Sequence, residues 1–568
     1  MNPFAYIIPP KARRIVEFGC GTGTLGAAFR HIQPECRYVG VEADAKQVQE
    51  AAKTLDRVIQ GTVESVDLAA QEPGKLDCIL YHGRFLKTVR LAEILRAHGA
   101  LLAEGGQMLF LLDNPGYFRN LLAHFRGCPS GDGAMAPAEL EKILQFAGMT
   151  MERVRSLQTP EDKELMASED AKTLLQALVD YCRRNRLDGR ADVWTRNYAV
   201  RAVKGDLPCR TLIQAILGEA LVTARIRIRE PNRFCVTMPQ VDAQEMEYTQ
   251  PVRRETADRY PKRILIRQRV NSMDLASGIS VARGFAAQGY LLIQEMDDSP
   301  TRWTDVYQSI KYVDFAGCHG IQVSTPALAE ELRPYNPEVR VFLNCLAELP
   351  EEKADWGKEG DPVTVFFGAL NREEDWRDIM PVLNQAAEHY GKRLRFRVLA
   401  DKEFFQALRT PHKEFVGSEQ YFNGKYVPYP VYLETMRSAD ISLLPLRDTP
   451  FNRAKSDLKF IESAANGVAS LASPTVYADT VEDGKTGFLY RSPKEFGERL
   501  KLLVERREKR ISMARAAYDY VKRNRLLSQH YEERIDWYNE LFARLPELNR
   551  AMEERLARLE QESERETK

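Results

Sequence analysis

No apolar run in the chain approaches the roughly 20 residues that a membrane-spanning helix needs, so no transmembrane segment is expected. There is no excess of one charge either. Lysine plus arginine equals aspartate plus glutamate at 81 each, which removes the broad basic field that draws proteins onto nucleic acid. The nine cysteines, Cys20, Cys36, Cys78, Cys128, Cys182, Cys209, Cys235, Cys318 and Cys345, include no C-x-x-C pair. An odd, dispersed set fits a reducing compartment and argues against a structural metal site. The opening residues, MNPFAYIIPPKARR, place Pro9 and Pro10 ahead of the basic residues, the reverse of a secretion signal. These absences lead to the expectation of a cytoplasmic protein with no metal and no nucleic-acid partner, able to touch the inner membrane only at its surface.

At 568 residues the chain exceeds one hydrophobic core, and at about 150 residues per domain it should form three or four units. A 44% hydrophobic and 29% charged composition is that of an ordinary globular protein. The apolar runs RRIVEF, RYVGVE, LDCILY and QMLFLL alternate with amphipathic stretches to about residue 112, the rhythm of a parallel sheet covered by helices. After Pro137, AELEKILQFAG reads as a helix ending at Gly148, and TMERVRSL and NYAVRAVK as strands flanking a charged helical insertion at about 159–192. The rhythm restarts near residue 205. TLIQAILGEAL reads as a short apolar helix, followed by the strands RILIRQ, YLLIQEM, GIQVST and VRVFLN. A charged connector, PEEKADWGKEGDP (350–362), leads to VTVFFG, LRFRVLA, KEFVG, ISLLPL and GFLY. From about 493 the pattern is helical, and the tail MEERLARLEQESERETK reads as a solvated, fraying terminus more readily than a docking helix. The expected fold is α/β with three Rossmann-like units, the last two paired: 1–204, 205–350 and 351–525, then a helix and charged tail over 526–568.

RRIVEFGCGTGTLGAAF places Glu17, Gly19, Gly21 and Gly23 at a strand-to-helix turn, where glycine lets the backbone bend tightly and approach a ligand. Nineteen residues after Gly23, the strand RYVGVEAD ends in Glu42, a carboxylate placed for two ribose hydroxyls. A lone glycine-rich turn is weak evidence, since it also serves merely to pack a helix on a sheet. The E-F-G-C-G-T-G form, the acid on the second strand and LDCILYHG on the fourth occur here in order. This ensemble resembles the class I S-adenosylmethionine-dependent methyltransferases over about residues 1–204. The resemblance implies a seven-stranded sheet with S-adenosyl-L-methionine over strands one and two. Glu17 and the glycines would then surround its methionine part, Glu42 its ribose and Glu64 its adenine side. His82, past the fourth strand, is a candidate base for the acceptor proton or a wall of the cleft.

The stretch YLETMRSADISLLPLRDTPFNRAKSDLKFIESAANGVASLASPTVYADTVEDGKTGFLY runs helix, strand, polar loop, then a helix from about Leu458 that carries Glu462. Lys455, Ser456 and Lys459 cluster at that helix's N-terminus, where free N–H groups favour an anion such as a diphosphate. Each basic residue alone reads equally as a solvated charge. The stretch resembles the family 4 (group 1) retaining glycosyltransferases of the GT-B fold, over about 220–525. The resemblance implies a nucleotide-diphosphate sugar donor bound between two Rossmann units. The family's E-x7-E element falls on Ala454 and Glu462, so the second glutamate is present, suited to the nucleotide ribose, and the first is absent. Arg372, after the GALN turn, resembles the family's phosphate contact. In GYLLIQEMDDSPTRW, Glu295, Asp297 and Asp298 read as lying just past a buried strand, where carboxylates meet acceptor hydroxyls or a cation, or cap a helix. Glu295 and Asp298 join His82 and Lys459 as catalytic candidates. His319 reads as a satisfied turn residue.

Together these features predict a bifunctional enzyme of bacterial-type surface polysaccharide assembly. It would transfer a sugar and a methyl group to a glycan, lipid-linked glycan or glycoprotein acceptor. Two alternatives stay open: a surface or flagellar protein glycosyltransferase with sugar methylation, and a scaffold with one inactive module.

Overall fold

A computed structural model describes residues 3–117, 120, 135–157, 164, 167–185, 195–218, 222–253, 257–369, 372–420 and 426–567. The chain forms two compact units, Met1–Cys209 with Val236–Val241, and Arg210–Cys235 with Asp242–Lys568. Among the described residues no helix is long and apolar enough to cross a membrane.

The first unit holds strands β1 (Arg14–Phe18), β2 (Arg37–Glu42), β3 (Arg57–Gln60), β4 (Leu76–His82), β5 (Leu102–Asp113), β6 (Thr150–Leu157) and β7 (Asn197–Val203). They form one sheet in the order β3-β2-β1-β4-β5-β7-β6. β1 to β5 pair in parallel, and β7 runs antiparallel between β5 and β6. A parallel sheet covered on both faces needs nearly continuous apolar strands. Accordingly Ile15, Val16 and Phe18 of β1 and Cys78 to Tyr81 of β4 are all buried. Phe18, Tyr81 and Phe110 stack across neighbouring strands at 5.3 and 5.0 Å. The helix Pro137–Ala147 ends at a left-handed Gly148, as its sequence predicts. Of the 159–192 insertion, Glu169–Arg184 is helical, and most of the remainder lies outside the described residues. The segment Val236–Val241 completes this unit. Thr237 and Val236 offer their carbonyls to the buried Arg201, and Gln240 N–H donates to Glu152 at 2.7 Å.

In the second unit, β8 (Thr211–Leu217), β9 (Val241–Glu247), β10 (Lys262–Gln268), β11 (Tyr290–Met296), β12 (Gly320–Val323) and β13 (Val339–Val341) form a sheet in the order β13-β12-β11-β10-β8-β9. The expected helix TLIQAILGEAL is therefore corrected to a central strand. Thr211 to Leu217 pair in parallel with Lys262 to Gln268, and Leu212, Ile213, Ala215 and Leu217 are all buried. A short apolar run has no periodicity to separate a buried strand from a helix, and sheet neighbours on both sides decide it.

β14 (Val363–Gly368), β15 (Leu394–Leu399), β16 (Lys413–Val416), β17 (Ile441–Leu444), β18 (Ala469–Ala472) and β19 (Phe488–Leu489) form the third sheet in the order β16-β15-β14-β17-β18-β19. Its strand order reverses between β14 and β17, the crevice where open parallel sheets bind ligands. The fold is α/β throughout with mainly parallel sheets, the last two paired within one unit.

The terminal helix, Leu545–Thr567, corrects the expectation of a frayed tail. Met552 and Leu556 are buried in the core around β11 and β12, and Arg555 donates to the Ala316 and Cys318 carbonyls at 2.9 and 2.8 Å. Arg283 bonds both Glu553 and Glu560. Leu548, Met552, Leu556 and Leu559 form one helical stripe, which the abundance of charge in the sequence conceals.

Candidate functional sites

In the first unit the turn after β1 holds Gly19, Gly21 and Gly23 at φ of 89°, 58° and 82°, a left-handed region costly to any residue with a Cβ. A Cβ on Gly19 would also lie 2.7 Å from the Phe85 ring, and one on Gly23 would lie 2.8 Å from Thr54 Oγ1. The turn leads directly into the helix Thr24–Arg30. Glu42 ends β2, and backbone N–H groups fix its carboxylate: Gly21 donates to Oε2 and Ala43 to Oε1, both at 2.9 Å. Arg84 adds a bond to Oε2 at 2.7 Å, and with its side chain 47% exposed it is the exchangeable partner.

Glu17 and His82 meet. His82 Nε2 lies 2.7 Å from Glu17 Oε1, and the Tyr38 hydroxyl donates to Oε2 at 3.0 Å. A neutral imidazole donating Nε2–H to Glu17 keeps its Nδ1 lone pair for a proton. Glu64 is exposed on the loop after β3 and accepts a hydrogen bond from Thr88 Oγ1. Burial, with Glu17 and Glu42 close by, pushes the Cys20 thiol up to about 12, which favours the protonated thiol in this turn.

In the second unit a cleft of about 370 Å³ opens at the carboxyl ends of β14 and β15, walled by Gly368, Ala400, Tyr429, Tyr432, Lys459 and Glu462 among others. The helix Leu458–Ala465 positions the last two on its first turns. Glu462 accepts from the Tyr429 and Tyr432 hydroxyls at 2.7 and 2.8 Å, and burial raises its pKa. Lys459 Nζ donates to the Gly368 carbonyl at the end of β14. Burial holds its ammonium down at about 8 against the attraction of Glu462, and Arg372 and Lys455 push it the same way. The sequence reading missed the two tyrosines, although their i, i+3 spacing within YPVY places both on one face of the helix Tyr429–Arg437.

The other expected donor residues stand close by but are held by partners. Lys455 pairs with Asp298 at 3.0 Å, Ser456 accepts from Asn344 Nδ2 at 2.8 Å, and Arg372 bonds Asp375 and Asn452 at 3.0 and 3.2 Å. Ala454 is 2% exposed within the core that also contains Leu328 and Ala329, and its carbonyl accepts from Thr325 Oγ1. The side chain at 454 thus faces packed protein, where a carboxylate would find no room in the cleft.

Glu295 needs a positional correction, because it lies inside β11 and not past it, 0% exposed, with Arg227 Nε at 2.7 Å. Arg227, itself 1% exposed, also donates to the Phe342 carbonyl and to Asn344 Oδ1. Asp297 and Asp298 both bind Arg269, at 2.6 and 2.7 Å. Burial pushes Asp297 up to about 7, whereas Lys455 and Arg269 overcome burial to hold Asp298 below the usual range. His319 is satisfied on both nitrogens: Leu292 N–H donates to Nδ1, and Nε2 meets Asn549 Oδ1. Among the described residues no group of His, Cys, Asp and Glu side chains could hold a metal ion.

Residues 16–108 match the family described as a methyltransferase domain, and residues 382–539 the family described as glycosyl transferase-like. The chain therefore joins a methyltransferase domain to a glycosyl transferase-like domain. It is 30% identical over 129 residues to a ribosomal RNA small subunit methyltransferase C of Pseudomonas putida, an alignment covering 21% of this chain and 39% of that protein. The chain thus spans less than half of that relative. It is similar to Anabaena HepE in complex with UDP and glucose at 12% identity, covering 58% of this chain and 98% of HepE, with a TM-score of 0.41. Similarity to TarM of S. aureus in complex with fondaparinux, alpha-GlcNAc-glycerol and UDP is also 12% in identity, over 49% of this chain and 55% of TarM, with a TM-score of 0.36.

Proposed function

We propose that this protein is a bifunctional glycan-modifying enzyme of surface polysaccharide assembly. Its second unit would transfer a sugar, with retention, from a nucleotide-diphosphate sugar, and its first unit a methyl group from S-adenosyl-L-methionine. One observation carries the reading: each unit sets a buried carboxylate beside the carboxyl edge of a parallel sheet, where ribose hydroxyls are bound. These are Glu42 at the end of β2 and Glu462 on the helix after β17.

S-adenosyl-L-methionine supplies an electrophilic methyl group when bound. The residues present suit it, because the left-handed glycine turn leaves backbone open beside Glu42, and Arg84 can yield that carboxylate to the ribose. Glu17 orients His82, whose Nδ1 takes the acceptor's proton as the methyl group is transferred. In the second unit Glu462 holds the donor ribose and Lys459 faces the diphosphate. Breaking the bond from the anomeric carbon to the diphosphate moves negative charge onto the leaving group, which a fixed ammonium stabilises.

Calorimetry on the full chain with S-adenosyl-L-methionine and with uridine, guanosine and cytidine diphosphates tests both halves. Glu42→Ala should weaken cofactor binding about ten- to a hundredfold, as loss of a charge-assisted hydrogen bond does, and leave nucleotide binding intact. Unchanged cofactor affinity in the folded variant would remove Glu42 from the site. The closed position at Ala454 supports a second reading, a donor-binding module without transfer, which binding accompanied by no turnover would favour.

A further inference from the structure

The chain passes between the two sheets of the second unit twice, and the passages touch. Leu346 N–H donates to the Arg525 carbonyl at 2.9 Å, and Leu527 N–H to the Leu346 carbonyl at 2.8 Å. Beside this double crossing lies a cavity of about 250 Å³, apart from the donor cleft and lined by Phe342, Leu343, Cys345, Arg525, His530 and Arg534 among others. One water molecule needs about 10–15 Å³ of such space, so the cavity has room for an oxyanion with a short carbon skeleton.

Charge around the cavity does not balance. Arg525 is spent on Asp457 at 2.5 and 2.7 Å, and Arg227 on Glu295 at 2.7 Å. Arg534 is 6% exposed, lies over the Phe342 ring at 4.7 Å, and has no ion-paired carboxylate among the described residues. Its guanidinium hydrogen-bonds the Tyr538 hydroxyl, a neutral partner, and the carboxylate that acts on it, Glu295, is shared with Arg227. Three buried guanidinium groups therefore face two buried carboxylates. Glu533 at the cavity's edge does not close the deficit, because it is more than half exposed and pairs with His530 at 2.8 Å. A buried charge is retained at a cost of several kcal/mol unless a counter-charge meets it.

We propose that this crossing cavity binds a small oxyanion of the phosphate or phosphomonoester class, held by Arg534 with Arg525 beside it. This site shares no lining residue with the donor cleft and does not depend on the assignment of that cleft. Its position gives it a further role. Asp457 opens the helix that carries Lys459 and Glu462, so an anion drawing on Arg525 acts on that helix from behind.

The test is a titration of the full-length protein with inorganic phosphate against chloride at matched ionic strength, read by calorimetry and thermal unfolding. Phosphate also stabilises folded proteins by exclusion from their surface, so the difference between proteins is the readout. Wild type should show saturable binding. Arg534→Met should bind phosphate about tenfold more weakly or worse, and in chloride should unfold no lower than wild type, because an unpaired buried charge has gone. Lys459→Ala, in the donor cleft, should keep the saturable binding. Leu343→Trp, which leaves Arg534 in place and narrows the cavity, should lose it, and decides the matter alone if Arg534→Met does not fold. Absence of saturable binding in wild type, or equal affinity in wild type and both cavity variants, overturns the proposal.

Discussion

Replacing Lys459 by alanine should lower the rate of sugar transfer about a hundredfold, the usual effect of removing one group that stabilises charge developing in a transition state. Lys459 sits on the first turn of its helix and bonds the Gly368 carbonyl, so its charge adds to that of the helix terminus at the mouth of β14. The loss should appear in kcat more than in KM, since the diphosphate gains its charge only as the anomeric bond breaks. Its pH dependence is distinctive. With the ammonium held at about 8, Lys459 is charged below that pH and loses its proton above it, while a bound diphosphate raises the pKa again. Nucleotide affinity should therefore fall as pH rises above about 8, and binding there should take up a proton, measurable by calorimetry in buffers of different ionisation heat. Lys459→Arg should abolish that dependence, because a guanidinium stays charged. A pH-independent affinity in wild type, or full turnover in Lys459→Ala, would take this residue out of the diphosphate site.

Glu295→Ala should destabilise the second unit by about 3–5 kcal/mol, the cost of leaving one partner of a buried ion pair uncompensated. Arg227 would keep only the Phe342 carbonyl and the Asn344 side chain, and it already has one guanidinium nitrogen, Nη2, without a hydrogen bond. Urea unfolding that follows the second unit measures the loss directly. The experiment also separates two roles for the carboxylate. A contact to acceptor hydroxyls, as the sequence suggested, would cost turnover with stability nearly unchanged; a structural pair costs stability first.

The sequence was most informative where the chain must meet a backbone requirement. The turn at Gly19 to Gly23 and the acid at Glu42 were legible because left-handed φ values and a strand-end carboxylate leave few choices of residue. Glu462 was legible through its family spacing, and Lys459 through its place on a helix N-terminus. Pairing across distance was not. Nothing local says that Lys455 is bound to Asp298, that Glu295 is matched by Arg227, or that Glu17 holds His82, since each bond joins residues far apart in sequence. The same limit hid β8, whose identity rests on β10 beside it, and the terminal helix, whose Arg555 meets the Ala316 carbonyl 239 residues earlier in the chain.

Val236–Val241 gives the two halves of this chain an unusual relation. The first unit is finished by residues synthesised after the second unit has already begun, and Arg201 and Glu152 of the first have their bonding completed only by that late segment. A cut at the apparent joint near residue 205 would strip the first unit of the Val236 and Thr237 carbonyls that Arg201 uses and of the Gln240 N–H that meets Glu152.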